Sequence, residues 1–250
     1  MYICSKVEFT LPYKLITHPQ RYRFMNSFSI VEHLFAAKPK PFGPRQSPSS
    51  IVKMSHTTLH VKYEGAIEDE QGNKKLHGGP YMALHQFAQQ SYLSITEAFP
   101  NAAERIIIGS IGENISAPNM NESNVFIGDQ YQIGSAILKV VSPRAPCSKI
   151  NQRYGQGKID LYVAKHAITG WYYSVLQEGE ISKGDEIILL HRDDSPISIK
   201  QIWALRQLQL PTENPHACMA LASRAFQDPS LAPQWQAFMH KVTVRLAKYL

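Results

Sequence analysis

A cysteine stands in an unusual setting in the segment VVSPRAPCSKI. Cys147 lies between Arg144 and Lys149, and no acidic residue opposes these cations within the segment. Cations near a thiol favour the thiolate, which is the form that attacks electrophiles and binds metals. Pro143 and Pro146 restrict the backbone and can hold the sulfur in one direction. The segment predicts a reactive or metal-binding thiolate, with a half-buried structural cysteine as the alternative.

The segment KKLHGGP, residues 74–80, carries a second group of polar side chains. Gly78 and Gly79 permit backbone angles that let a ligand approach closely, and amides at the start of a following helix would face an anion. Lys75 and His77 add side-chain donors. The alternative is an ordinary tight turn with a capping histidine.

A third polar segment, GSIGENIS, lies between apolar stretches. Its Gly112 marks a turn, and Glu113 and Asn114 follow directly. Either the segment is only a turn, or its carboxylate and amide fix a polar ligand.

The charge distribution favours a small anion as the ligand. The formal charge is +6, but residues 55–198 hold twelve basic and sixteen acidic residues, and the positive excess lies in residues 1–54 and 199–250. Within the acidic middle, residues 130–159 contain no acid and five cations, namely Lys139, Arg144, Lys149, Arg153 and Lys158. This pattern predicts a local basic pocket and argues against a nucleic-acid partner.

Composition predicts a globular cytoplasmic protein without a membrane segment. Hydrophobic residues make up 44% of the 250 residues, and no apolar stretch is long enough to cross a bilayer. No signal peptide is recognisable. Three distant cysteines do not suggest a disulfide framework. The first 25 residues are basic and lack a clear period, so we expect an N-terminal extension outside the native fold, with Met25 as an alternative start.

Strand and turn signals dominate the middle of the chain. Residues 124–143 predict a strand, a Gly-Asp turn at Gly128 and a second strand; residues 170–192 predict strands with another Gly-Asp turn at Gly184. Residues 78–100 predict a helix. The fold class is therefore mainly β with helices, as a barrel or sandwich.

Helical spacing dominates the end of the chain. After Ser195-Pro196, an Asn-Pro helix start at Asn214 and an apolar stripe from Trp235 to Leu246 predict a small three-helix domain. We therefore expect an extension over residues 1–25, a β-barrel domain over 26–196 and a three-helix domain over 197–250.

Together, the segments KKLHGGP, GENI, NVFIGD, VVSPRAPC and GWYYSV resemble the MOSC family in their order and spacing, and are most similar to its YiiM type. The resemblance runs from about residue 27 to the end of the chain. It implies a MOSC-type β-barrel followed by a three-helix C-terminal domain. One departure is Tyr81, where relatives often have Asp after His-Gly-Gly-Pro, so the resemblance leaves the substrate open.

The resemblance also implies a cofactor and a set of site residues. The cofactor is molybdenum cofactor (molybdopterin), with Cys147 as metal ligand and catalytic residue, and no pyridoxal phosphate is expected. A soft thiolate suits such a metal, and the acid-free basic stretch suits the cofactor's phosphate. The residues implied to line the cofactor site are Lys75, His77, Gly78, Gly79, Glu113, Asn114, Arg144 and Lys149.

The activity implied by the resemblance is reduction of small N-hydroxylated compounds, such as hydroxylaminopurine-type base analogues, to amines in a detoxification role. The sequence has no flavin, dinucleotide or iron–sulfur motif, so an external electron-donor reductase, such as a flavoprotein, is expected as partner. The basic residues 197–250 are one docking surface for an acidic redox protein, or else an uninvolved helical cap. The sequence leaves a homodimer open.

Two other functions use the same residues. One is a non-catalytic module that carries the cofactor or sulfur without turnover. The other is a metal-free Cys-His hydrolase with Cys147 as nucleophile, because its histidine could come from any part of the chain.

Overall fold

The computed structural model describes residues 27–74 and 78–250. Short strands make up most of the described chain: β1 (Ser27–Ile30), β2 (His33–Ala36), β3 (Lys40–Phe42), β4 (Ser47–Ser49), β5 (Met54–His56), β6 (Thr58–Lys62), β7 (Gly65–Ala66), β8 (Leu84–Gln86), β9 (Ile115–Ser116), β10 (Gln130–Ile133), β11 (Ala136–Pro143), β12 (Trp171–Gln177), β13 (Gly179–Ser182) and β14 (Glu186–His191). The α-helices are α1 (Gln89–Ala98), α2 (Lys149–Tyr154), α3 (Ile159–Lys165), α4 (Ile199–Arg206), α5 (Pro215–Gln227) and α6 (Pro233–Leu246). Short 3-10 turns occupy Pro80–Met82, Pro100–Arg105 and Ala247–Tyr249.

A curled nine-stranded sheet forms a half-barrel. Its strand order is β1-β14-β10-β11-β12-β8-β9-β2-β5, and its recorded pairs are antiparallel apart from β8 with β9. The strands β13, β6 and β7 form a second sheet, and β3 pairs with β4 in a third. The prediction of a mainly β barrel with helices is confirmed.

Both predicted Gly-Asp turns are present, but the strands around the first one differ from the prediction. Gly184 and Asp185 directly precede β14. Gly128 and Asp129 directly precede β10, but the residues just before them form only a single bridge, between Phe126 and Ser198, and a further turn at Gly134 and Ser135 separates β10 from β11. Asp129 accepts hydrogen bonds from the amide of Phe126 at 2.9 Å and from Arg192 Nε at 2.7 Å. These contacts hold the Gly-Asp turn just ahead of β10.

The predicted helix over residues 78–100 is only partly present. Residues Leu84–Gln86 form strand β8, and the helix begins at Gln89. All three strand residues are buried, and β8 pairs with β12 on one side and β9 on the other. This pairing with distant segments outweighs the local helical spacing.

Local signals set the three C-terminal helices. Ser198 and Gln201 form a reciprocal capping box at the start of α4, and the Asn214 side chain accepts from the amide of Ala217 at the start of α5. Apolar residues of these helices share one buried cluster with the sheet. One direct link is the hydrogen bond of 2.7 Å from Trp203 Nε1 to the carbonyl of Ala164.

A second apolar cluster lies beneath α1, α2 and α3 and includes Phe87, Ile111 and Tyr154. Strand β8 joins the two clusters, because Leu84 packs in the first and Phe87 follows in the second. Within residues 27–74 and 78–250, no helix is both long and apolar enough to cross a membrane.

Candidate active site

A cleft brings together four residues that the sequence predicted for the site. Cys147, Arg144, Lys149 and Asn114 lie on its wall. The wall also includes residues from five other segments of the chain. These are Pro48, Ser49, Ser50, Ile51, Lys53, Asp69, Glu70, Gln71, Gly72, Asn73, Met82, His85, Ile111, Gly112 and Tyr172.

Cys147 lies in a connection that is held at both ends. Strand β11 ends at Pro143, and the next amide, of Arg144, donates to the carbonyl of Gly170 at 3.1 Å. On the other side, the amide of Ile150 donates to the carbonyl of Cys147 at 3.0 Å, at the start of α2. The thiol is half-buried. The backbone therefore presents this sulfur to the cleft between two fixed elements.

Arg144 is a buried cation with unused hydrogen-bonding capacity. Its side chain is 8% exposed, and Nη2 donates to the carbonyl of Ile111 at 3.4 Å. Its Nη1 has no hydrogen-bond partner among the described residues. A buried guanidinium with a free donor is suited to an acceptor on a bound ligand.

Lys53 and Asp69 form a buried ion pair on the cleft wall. Their side chains are 6% and 7% exposed. Burial lowers the pKa of Lys53, while the Asp69 carboxylate acts in the opposite direction. Asp69 also accepts from the amide of Ala37 at 2.9 Å and from Asn114 Nδ2 at 2.8 Å. The carboxylate is thus fixed from three sides and holds the ammonium in place.

Asn114 has a structural role on the wall of the cleft. Its Nδ2 donates to Asp69 and to the carbonyl of Phe35, at 2.8 and 3.2 Å, and its Oδ1 accepts from the amide of His85 at 3.0 Å. Both amide hydrogens are used inside the protein. Asn114 therefore joins β2 and β8 and orients Asp69.

Glu113 lies behind the cleft instead of on its wall. Its Oε1 accepts from Tyr92 Oη at 2.6 Å and from the amide of Gly109 at 2.7 Å, while Oε2 has no partner in the described chain. Burial raises the pKa of this carboxyl. Its negative charge acts on both Lys53 and Arg144. Glu113 thus shapes the loop after Gly109 and offsets part of the cationic charge.

His85 and Tyr172 form an aromatic pair on the wall, with ring centroids 5.4 Å apart. Burial, together with the charges of Arg144 and Lys53, holds the pKa of His85 well below its ordinary value. Burial raises the pKa of Tyr172, and the nearby Arg144 acts against this rise. At neutral pH the pair is therefore a neutral imidazole beside a protonated phenol.

The structure does not bring all the predicted residues to this wall. Gly79 lies in a neighbouring hollow, where its φ of 94° and ψ of 172° suit glycine alone, and Gly78 lines neither space. Lys75 and His77 lie outside the described residues. Tyr81 is 39% exposed and is absent from both linings.

The acid-free stretch contributes only part of its charge to the cleft. Arg144 and Lys149 lie on the wall, whereas Lys139, Arg153 and Lys158 do not. The residues that sequence reasoning missed are Lys53, Asp69, His85 and Tyr172. Tyr172 lies in the GWYYSV segment, so the family resemblance could have indicated it as a site residue. The other three gave no local signal, because their neighbours in space are distant in sequence.

No group of three or more His, Cys, Asp or Glu side chains in the described parts of the chain could hold a metal ion by itself.

Comparisons with known proteins identify similar sequences and a similar fold. A family model described as MOSC domain matches residues 73–188. Protein YiiM of Escherichia coli (strain K12) is 35% identical over 163 residues, which are 65% of this chain and 72% of that protein. A protein of Gibberella moniliformis (strain M3125 / FGSC 7600) named "Reductase" is also 35% identical, over 167 residues, but the match spans 65% of this chain and 30% of that protein.

A solved structure supports the fold. The crystal structure of YiiM from Geobacillus stearothermophilus aligns with a TM-score of 0.69 over 86% of this chain and 99% of its own. The two sequences are 22% identical in that alignment, so the likeness concerns the fold alone.

Proposed function

The chain belongs to the MOSC domain family, and from that premise we propose that it binds molybdenum cofactor beside Cys147 and reduces N-hydroxylated compounds, such as hydroxylaminopurine-type bases, to amines. One observation carries the proposal. The half-buried thiol of Cys147 shares a cleft with the buried Arg144, whose Nη1 lacks a partner among the described residues. The fungal relative named "Reductase" supports a reductive activity.

The donor set of the cleft fits an anionic cofactor that contains a soft metal. A thiolate prefers such a metal to hard cations, and a guanidinium binds phosphate through a planar pair of donors. Lys53, Arg144 and Lys149 line the cleft. Its two carboxylates, Asp69 and Glu70, are each paired with a lysine. The unpaired charge that remains is positive, which favours an anion.

Five residues of the cleft have specific roles in this proposal. Cys147 would hold the metal, and Arg144 and Lys149 would bind the anionic part of the cofactor. When bound, the cofactor supplies the two-electron chemistry that side chains lack. The neutral rings of His85 and Tyr172 offer an apolar face to an aromatic substrate. The overall change is R–NH–OH + 2 e⁻ + 2 H⁺ → R–NH₂ + H₂O.

The test is a metal and activity measurement on matched cysteine variants. The protein is purified from cells that make the cofactor, molybdenum is measured by mass spectrometry, and reduction of a hydroxylaminopurine is followed with reduced methyl viologen. We expect Cys147→Ser to lose both metal and activity. Cys218→Ser is the control, because Cys218 is buried in α5 and away from the cleft lining. Equal molybdenum in wild type and Cys147→Ser would refute the proposal, and metal without turnover would favour a carrier.

A further inference from the structure

The hairpin of β3 and β4 borders the mouth of the cleft, and we call it the basic lip (residues 40–49). The strands pair from Lys40 with Ser49 to Phe42 with Ser47. Pro48 and Ser49, at the end of β4, lie on the cleft wall. The lip is thus a separate two-stranded element whose final residues reach the proposed active site.

Two contacts fix the lip to the rest of the fold. Lys149 Nζ donates to the carbonyl of Pro48 at 2.8 Å, which joins the hairpin to α2 directly after Cys147. Phe42 packs against the apolar cluster beneath α1, α2 and α3. Because both strands are held, the charges of the lip keep a defined position relative to the cleft.

The lip carries positive charge that no ion pair neutralises within residues 27–74 and 78–250. Residues 33–63 contain no Asp or Glu. Lys40 and Arg45 are exposed, and neither has an ion-pair partner within the part of the chain that the structure describes. In contrast, the carboxylates on the cleft wall, Asp69 and Glu70, are occupied by lysines. The lip therefore presents two exposed cations, Lys40 and Arg45, that have no ion-pair partner among the described residues.

Each turnover of the proposed reaction consumes two electrons, and the sequence contains no flavin or iron–sulfur motif to supply them. We propose that the basic lip is the docking surface for an acidic protein that carries reduced flavin. This inference rests on the proposed function. Two flavin hydroquinones, each oxidised to the semiquinone, would supply the two electrons, and the solvent supplies two protons. The acidic surface of the donor would be attracted to Lys40 and Arg45.

The position of the lip favours it over the basic C-terminal helices. None of the residues 197–250 lines the cleft, whereas Pro48 and Ser49 of the lip do. Electron transfer slows steeply with distance, so a donor bound at the lip has the shorter path to the cleft.

The test measures binding and electron delivery by an acidic flavodoxin. Lys40→Glu/Arg45→Glu reverses two exposed charges of the lip. Lys183→Glu/Lys241→Glu is the control, because it makes the same change in net charge at exposed positions outside the lip and the cleft lining. Affinity for oxidised flavodoxin is measured by calorimetry at low and high salt. Turnover is measured with flavodoxin hydroquinone and, separately, with reduced methyl viologen.

We expect the lip variant to weaken flavodoxin binding by about tenfold at low salt, with a smaller effect at high salt. Its turnover with methyl viologen should match wild type, since this small donor needs no docking surface. The inference is wrong if the control pair weakens flavodoxin as much as the lip pair, or if wild type binds a single-stranded oligonucleotide more tightly than flavodoxin. If wild type shows no turnover with either donor, the proposed function is wrong. The calorimetry would still show whether flavodoxin binds at the lip.

Discussion

Lys53 Nζ and the Asp69 carboxylate form an ion pair that is more than nine-tenths buried, on the same cleft wall as Cys147. The two residues lie on different segments, one just before β5 and the other after β7. Asp69 is also held by the backbone of Ala37 and by Asn114. The pair therefore links three parts of the chain on the wall of the proposed site.

Removal of one partner of this pair should be costly. We expect Lys53→Met to lower the free energy of unfolding by about 3 kcal/mol, because Asp69 would remain charged and buried without its cation. Lys53→Met/Asp69→Asn should recover part of this loss. Urea unfolding checks both variants. The control is Lys74→Met, because Lys74 pairs with Glu70 at the surface, where ion pairs contribute little. Equal effects of Lys53→Met and Lys74→Met would contradict the prediction.

Glu113 should make stability depend on pH in a defined direction. Burial raises its pKa from the ordinary value of 4.5, so the folded state holds this proton more tightly than the unfolded state does. The resulting stabilisation is complete below the unfolded pKa and is lost as pH rises through the folded pKa. Glu113→Gln removes the titration and keeps an oxygen for Tyr92 and Gly109. The stability of the variant relative to wild type should therefore rise with pH, as measured by urea unfolding at a series of pH values. A pH-independent difference would contradict this.

Arg144 should control retention of the cofactor. We expect Arg144→Met to purify with about tenfold less molybdenum than wild type, because the anionic part of the cofactor would lose its buried guanidinium. Arg153→Met is the matched control, since Arg153 belongs to the same acid-free stretch but not to the cleft lining. Mass spectrometry of the purified proteins measures the metal. Similar molybdenum in both variants would exclude this role for Arg144.

The C-terminal helices should not separate from the barrel during unfolding. Their apolar residues share a cluster with the sheet, and Ala232 and Trp203 form hydrogen bonds to β11 and α3. We therefore expect one cooperative transition by both circular dichroism and tryptophan fluorescence. A chain that ends at residue 196 should be poorly soluble, because removal of residues 197–250 exposes the apolar cluster on the sheet. Two separate transitions would support an independent domain over residues 197–250.

Local patterns were sufficient where neighbours in sequence set the structure. The helix starts at Ser198 and Asn214 depend on side chains that cap amides three residues away, so the C-terminal helices were predictable. The same patterns failed at Leu84–Gln86, where the spacing indicated a helix and the sheet imposed a strand. Pairing of β8 with β9 and β12 joins segments that are far apart in the chain, which no local period encodes.

The candidate site likewise has features set by neighbours in sequence and features set by contacts between distant segments. The sequence by itself determined the constrained thiol of Cys147 with its flanking cations, because two prolines and two cations lie within a few residues of it and no acidic residue does. Only the tertiary structure decided that Lys53, Asp69, His85 and Tyr172 line the same cleft as this thiol. It also decided that Asn114 donates a hydrogen bond to Asp69 and that Glu113 lies behind the cleft wall. Burial and charge pairing between these groups arise when distant strands meet, and they exist only in the folded chain.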